Sequence, residues 1–306
     1  MQIPVVSLSA STVEIADAIA CSHGYLVLTD LESQPPFQAF QGTFDELPKC
    51  EDVACRLHEA YTKNLICKDS AGFRDFCGHE RVLDFNTEHL KKIKLASPEF
   101  PMSSIQDEKV VKMLRFWESC ASDVMPKLVQ AISLAVGTDD VSADAHCYFR
   151  MVDYYERPAL VQGAPLHRCE EHRDFGTASL IFPSDVKGLE IFADDKWQAV
   201  PPVHPHAAGI LIFGWCTQIR SNGRIPAVLH RVIDADAVHG VVPRRTSAVL
   251  FIAPKEKESP LEPMIQEGEA RRYVSGAKVG LLRSLHFSKD FGLVDSAFAS
   301  AVTSLK

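Results

Sequence analysis

The sequence predicts a mainly β protein, a sandwich or barrel with flanking helices, on three observations. Beyond about residue 140, short apolar runs follow one another: Thr177 to Phe182, Leu189 to Phe192, Trp197 to Val200, Ala208 to Phe213, Ala227 to Ile233 and Ser247 to Ala253. Gly, Pro, Asp and Asn stand between these runs, which is the punctuation of serial short strands rather than of alternating β-α units. The length, 306 residues of which 46% are hydrophobic and 24% charged, is enough to bury a large core.

The elements ahead of that region are read in order. Ile3 to Leu8 is extended. Ser11 and Glu14 form a Ser-x-x-Glu capping box, and Val13, Ile15, Ala16, Ile19 and Ala20 give the following helix an apolar face. Gly24 stops it, and Tyr25 to Thr29 is a buried strand. A second helix is expected near Glu51 to Asn64. From Lys68 to Asn86 glycine, aromatics and both charge signs mix without a period, so a long loop is expected there. Val110, Leu114, Trp117, Ala121, Val124, Leu128, Ile132 and Ala135 recur every three or four residues and predict a helix over about Asp107 to Val136, with Pro126 kinking or splitting it. After Pro254 the chain turns charged and is expected to end in a helix from about Asp290 to Ser304.

The 32 basic and 40 acidic side chains, a formal charge of −8, argue against a chain that grips nucleic acid or anionic lipid non-specifically. No apolar run has the length of a membrane span, and Met1-Gln2-Ile3-Pro4 does not open a secretion signal, so a cytoplasmic protein is expected. The nine cysteines are odd in number and form no Cys-x-x-Cys pair, which favours reduced and mostly buried thiols over a disulfide framework.

The residues that carry chemistry are His172, Asp174 and His230. If 172 to 174 is extended, side chains two apart share a face, so His172 and Asp174 can reach one ion. His230 sits in an apolar, β-rich run where an imidazole needs a partner. Two imidazoles and one carboxylate, with other positions open, make the facial triad of non-haem Fe(II) oxygenases. Ordinary core or surface histidines are the alternative, and Cys169 with His167 offers a zinc site as another.

The text around these residues adds a resemblance. Glu171-His172-Arg173-Asp174-Phe175-Gly176-Thr177, Trp197-Gln198-Ala199-Val200-Pro201-Pro202, Ser221-Asn222-Gly223-Arg224, His230-Arg231-Val232 and Arg244-Arg245-Thr246-Ser247, in this order, resemble the isopenicillin N synthase-like branch of the 2-oxoglutarate/Fe(II) oxygenases. Ile3-Pro4-Val5-Val6 and Ser22-His23-Gly24-Tyr25 are similar to that family's N-terminal region. The likeness is dense from about Arg150 to Pro254 and absent after about Pro260. It implies a double-stranded β-helix, or jelly roll, spanning 141 to 260, with an N-terminal α/β region over 1 to 140 packed on it and a helical segment over 261 to 306.

The resemblance further implies that His172, Asp174 and His230 hold Fe(II), and that Arg245 and Ser247 bind the far carboxylate of 2-oxoglutarate. A guanidinium fork with a hydroxyl two residues along the same strand face suits a carboxylate on its own merits. Tyr155 matches a family tyrosine that also contacts the cosubstrate, although the register decides whether Tyr154 or Tyr155 faces inward. The implied activity is oxidation of a small metabolite, of the kind met in specialised metabolism, by hydroxylation, desaturation or ring closure, consuming O2 and 2-oxoglutarate and giving succinate and CO2. An oxidase of isopenicillin N synthase type, in which the Arg-x-Ser pair binds a substrate carboxylate, is the first rival. A non-catalytic jelly-roll binding protein is the second. Arg74 and Phe287 are expected at the substrate, and a monomer without nucleic-acid or membrane partners is expected. The chain departs from the family at Gly214-Trp215, where Gly-Asp is usual, and at Tyr155-Glu156, where Tyr-Pro is usual.

Overall fold

A computed structural model describes residues 4–31, 35–46, 72–76, 80–86, 108–139, 141, 145–159, 167–182, 186–200, 207–255 and 259–286. An eight-stranded sheet runs in the order β1 (Val5–Ser7), β2 (Tyr25–Thr29), β11 (Ala207–Phe213), β8 (Ala178–Phe182), β14 (Arg245–Pro254), β5 (Ala145–Tyr154), β4 (Glu80–Asn86), β3 (Gly72–Phe76). A four-stranded sheet of β10 (Lys196–Ala199), β9 (Leu189–Ala193), β12 (His230–Ile233) and β7 (His167–His172) lies opposite. Two short ribbons, β6 (Arg157–Pro158) with β13 (Val241–Val242) and β15 (Pro260–Leu261) with β16 (Ala277–Lys278), complete the strands.

Strand parity divides the core in two. One face of the large sheet sends Leu26, Leu28, Phe149, Met151, Leu180, Phe182, Leu211, Leu250 and Ile252 into a cluster with the helices. The other sends Tyr25, Val27, Ile181, Ile210 and Ile212 against Leu189, Ile191, Val200 and Val228 of the small-sheet side. This is a sandwich with helices packed on the outer face of its large sheet, the mainly β jelly roll that the sequence and the resemblance predict.

The helices are α1 (Thr12–Ala20), α2 (Phe37–Glu46), α3 (Glu108–Ser119), α4 (Met125–Val136), α5 (Trp215–Arg220) and α6 (Val279–His286). The capping box of α1 is present as expected: Glu14 N–H donates to Ser11 Oγ, and Ser11 N–H donates to the Glu14 carboxylate at 2.8 Å. Gly24, at φ 91°, leaves the turn before β2 in a conformation and a space only glycine accepts, since a Cβ there would lie 2.3 Å from the Pro226 carbonyl. The long predicted helix is α3 and α4 joined by a π-helical turn over Cys120–Val124, in which Met125 N–H bonds back to the Cys120 carbonyl. Pro126 follows at once. Its missing N–H and its ring would break the ordinary ladder, and the widened turn absorbs both. Trp117, fully buried on α3, packs on Phe149 at 4.6 Å and on Phe40 at 5.9 Å between ring centroids, which couples α2 and α3 to the sheet.

The expected loop over Lys68 to Asn86 is corrected: β3 and β4 form an antiparallel hairpin there, and β4 pairs along β5. The misreading came from charge. Arg81 and Asp84 are buried on β4 because Asp153 and Arg150 on β5 neutralise them, and a cross-strand partner leaves no local period. The predicted run Ala227 to Ile233 is strand only from His230. Strand β5 and helix α2 were not foreseen. The helices expected near Glu51 to Asn64 and Asp290 to Ser304 lie outside the described residues. Among the described cysteines, Cys120, Cys147 and Cys216 are buried, Cys169 is half-buried and Cys21 exposed, all as free thiols, and burial pushes the Cys147 thiol up to about 12. No helix among the described residues is long and apolar enough to cross a membrane.

Candidate metal centre and keto-acid pocket

His172 ends β7 and His230 begins β12, and the two are register partners across that pair, with imidazole centroids 4.3 Å apart. Asp174 lies two residues beyond the strand end. Trp215 N–H fixes its carbonyl at 2.9 Å, and Ser179 Oγ, from β8 of the opposing sheet, donates to its Oδ2 at 2.5 Å. Its Oδ1 is 3.6 Å from His172 Nε2. One ligand atom from each of the three residues falls within 4.8 Å of the others. The residue between, Arg173, donates instead to the Ala227 carbonyl at 3.2 Å.

Both imidazoles are oriented by backbone. His172 Nδ1 sits 2.8 Å from the Glu170 carbonyl and His230 Nδ1 3.1 Å from the Val228 carbonyl. A carbonyl can only accept, so each Nδ1 carries a proton and each Nε2 faces the cluster, the orientation a metal ligand needs. At His172, against the effect of burial, the Asp174 carboxylate also favours the charged ring, whose Nε2 proton a metal would displace. Burial, then the charge of His172, pushes His230 down to about 4. Burial alone would raise Asp174, but its hydrogen bonds with His172 and Ser179 and the two imidazole charges hold it well below the usual carboxylate range. Two oriented nitrogens and one ionised oxygen on one side fit a divalent first-row metal such as Fe(II). The zinc alternative finds no support in this geometry: Cys169 Sγ lies 3.8 Å from His172 Nδ1, on the far side of the ring from Asp174. His167 turns to Glu170 at 2.6 Å.

Arg245 opens β14, 3% exposed, and its Nη1 donates to Ser247 Oγ at 3.2 Å. Its Nε has no hydrogen-bond partner. A buried, half-satisfied guanidinium beside a hydroxyl fits a carboxylate. Gly188 keeps the wall open, since a Cβ there would lie 2.6 Å from the Ile233 carbonyl and 3.5 Å from Arg245 Nε.

The register answers which tyrosine accompanies Arg245. Tyr154 pairs with Arg245 across β5 and β14, is buried, and places its ring 5.7 Å from the guanidinium carbon. Tyr155, the residue expected there, lies 5.1 Å under Arg81 instead. It follows the last residue of β5, whose alternation sends neighbours to opposite faces. Arg74 is a β3 residue opposite Val82, with nothing described of its side chain, and Phe287 lies outside the described residues. Sequence reasoning missed Ser179, the only polar side chain within the apolar run Ala178 to Phe182, and that interruption was a usable signal. Ser221-Asn222-Gly223-Arg224 proves to be a clamp. Asn222 bonds the Ala270 carbonyl and Arg272 N–H, while Arg224 bonds the carbonyls of Met264 and Val136 and the Glu269 carboxylate.

Comparison with known proteins agrees with this geometry. Residues 147–254 match the model of the 2OG-Fe(II) oxygenase superfamily. Protein DMR6-LIKE OXYGENASE 2 of Arabidopsis thaliana is 34% identical over 152 residues, 46% of this chain and 40% of that protein. Gibberellin 20 oxidase 3 of the same plant is 22% identical over 263 residues, 81% of this chain and 66% of that one. The chain thus spans about half the length of the curated relatives it matches. A full-length Neurospora crassa protein solved in complex with alpha-KG superposes with a TM-score of 0.67 at 19% identity, covering 92% of this chain and 94% of that one. The rice dioxygenase for auxin oxidation gives 0.64 at 17% identity, with 94% and 95% covered. These likenesses are of fold. Over residues 147–254 the chain is similar to the 2OG-Fe(II) oxygenase superfamily.

Proposed function

We propose that the protein is an Fe(II)- and 2-oxoglutarate-dependent oxygenase that oxidises a small molecule, with succinate and CO2 as coproducts. The observation that carries this reading is the pairing of an oriented His-Asp-His cluster with the buried, under-satisfied Arg245 beside Ser247 in the same sandwich. His172, Asp174 and His230 would hold Fe(II) on one side and leave the others open. When bound, the metal and keto acid supply the oxidising power for a substrate C–H bond.

The chain's own work is orientation. The Glu170 and Val228 carbonyls keep both imidazole Nε2 atoms aimed, and Ser179 holds the carboxylate. Arg245 and Ser247 would fix the far carboxylate of the keto acid and so set the position of its reacting end. Tyr154 packs against the guanidinium of Arg245 and would hold it in place for the carboxylate.

The test is a metabolite panel scored by succinate release under air, with His172→Ala as the blank. Succinate formed only with the intact cluster supports the reading. Substrate-dependent O2 uptake with 2-oxoglutarate omitted would establish the isopenicillin N synthase type of oxidase in its place. Failure of the metal-free protein to bind Fe(II) would favour a binding protein.

A further inference from the structure

Arg245 is not the only buried arginine in this region with a donor to spare. Arg168, on β7, has a side chain only 5% exposed, yet its Nη2 has no hydrogen-bond partner. The rest of the fork is fixed: Nε donates to Asp234 Oδ1 at 2.5 Å and Nη1 to the Tyr155 carbonyl at 2.8 Å. That leaves the head no freedom to turn Nη2 towards solvent. Its guanidinium carbon lies 5.7 Å from the Tyr154 ring centroid, the same distance as that of Arg245, so the two cations share one aromatic ring.

Charge does not balance there. Asp234 is divided between two arginines, since its Oδ2 accepts from Arg157 Nη2 at 2.5 Å. Arg157, Arg168 and Asp234 together therefore carry one positive charge in excess. Arg245 adds another, having no carboxylate partner among the described residues. Two buried guanidinium groups around one ring, each with a donor to spare and with one carboxylate among three arginines, are costly unless an anion completes the set. A carboxylate has two oxygens and about four lone-pair sites, enough for donors from both forks.

We propose that Arg168 is a second anchor for the far carboxylate of the keto acid, donating its Nη2 alongside Arg245 and Ser247. The proposal rests on the cosubstrate assignment above. It makes Arg168 a specificity determinant, because a two-cation cradle rewards a dicarboxylic keto acid and gives a monocarboxylic one nothing.

The test uses the full chain loaded with Mn(II) under anaerobic conditions, titrated calorimetrically with 2-oxoglutarate and with 2-oxopentanoate. The second ligand has the same five carbons with a methyl in place of the far carboxylate. Arg168→Met is expected to weaken 2-oxoglutarate about tenfold to a hundredfold, the range for a lost charge-assisted hydrogen bond, and to leave 2-oxopentanoate unchanged. Arg168→Gln keeps a donor for Asp234 without the charge. It is expected to narrow the preference in the same direction, and it decides the matter should the methionine variant fail to fold. An equal loss for both ligands, or none for either, overturns the proposal. A parent protein that does not prefer 2-oxoglutarate overturns the cosubstrate assignment itself, and this inference with it.

Discussion

Ser179 and Asp174 meet across the sandwich: a hydroxyl on β8 of the large sheet donates at 2.5 Å to the carboxylate that follows β7 of the small one. That contact leaves Oδ1 of Asp174 turned towards His172 and thus towards the cluster. Partners of this kind set the orientation of a ligand, and their loss commonly costs roughly tenfold to a hundredfold in metal affinity. Ser179→Ala is expected to weaken Fe(II) or Co(II) binding by about that much, measured by competition with a chromogenic chelator. A midpoint of thermal unfolding close to the parent would show that the sheet itself was not disturbed.

Tyr154 and Tyr155 make opposite predictions from adjacent positions. Tyr154→Ala opens the space under Arg245 and is expected to weaken 2-oxoglutarate binding several-fold. Tyr155→Ala removes a cation-π contact with Arg81, worth roughly 0.5–2 kcal/mol. It is expected to lower stability slightly and leave keto-acid affinity alone. Denaturant titration and calorimetry on both variants separate the two effects, and the reverse pattern would count against the register described above.

The triad and the Arg-x-Ser pair were legible because their signal is local. His172 and Asp174 are two apart on one strand end, and so are Arg245 and Ser247 on one strand face. What escaped was whatever depends on the neighbouring strand. The inward tyrosine needed the β5 to β14 register, Ser179 needed the facing sheet, and Arg168 needed the division of Asp234 between two arginines. The hairpin of β3 and β4 escaped for the same reason, since its buried charges find their partners on β5 and α2. Among helices, a period of three to four over some twenty-five residues was readable, whereas α2, one short amphipathic stretch of ten residues, was not.

Asp153 tests the energetic side of those hidden pairings. It is fully buried on β5 and accepts hydrogen bonds from Arg81, from Arg244 at 2.7 Å and from Thr246 at 2.9 Å. Arg81 and Arg244 both reach on to Asp45, on α2, so the carboxylate ties that helix to the sheet. Asp153→Ala would leave two cations around an empty centre, and breaking a buried pair costs about 3–5 kcal/mol. Urea unfolding should show a loss of that order. An unchanged midpoint would mean that solvent or other carboxylates already satisfy the arginines.

Gly214 carries the last prediction, because it stands where the family usually continues Gly-Asp and this chain turns into α5 with Trp215. A Cβ at Gly214 would fall 2.3 Å from the Gly176 carbonyl and 2.6 Å from the Asp174 carbonyl. The backbone itself, at φ −106° and ψ −176°, suits any residue, so the conflict is purely steric. Both obstructing atoms are backbone, and one belongs to the proposed metal ligand. Gly214→Ala must therefore push the 174 to 176 segment away and lengthen the bond from Trp215 N–H to Asp174, now 2.9 Å. The expected cost is about 1–3 kcal/mol of stability, as for other overpacked sites, with a fall in metal affinity of about tenfold or more. Gly137→Ala is the control. It sits at φ 88° with nothing within 4 Å of a Cβ, so it pays only for the left-handed backbone, about 1 kcal/mol, at the far end of α4. Metal affinity should drop in the first variant and hold in the second. A similar drop in both would trace the effect to general loosening of the fold, not to the position of Asp174.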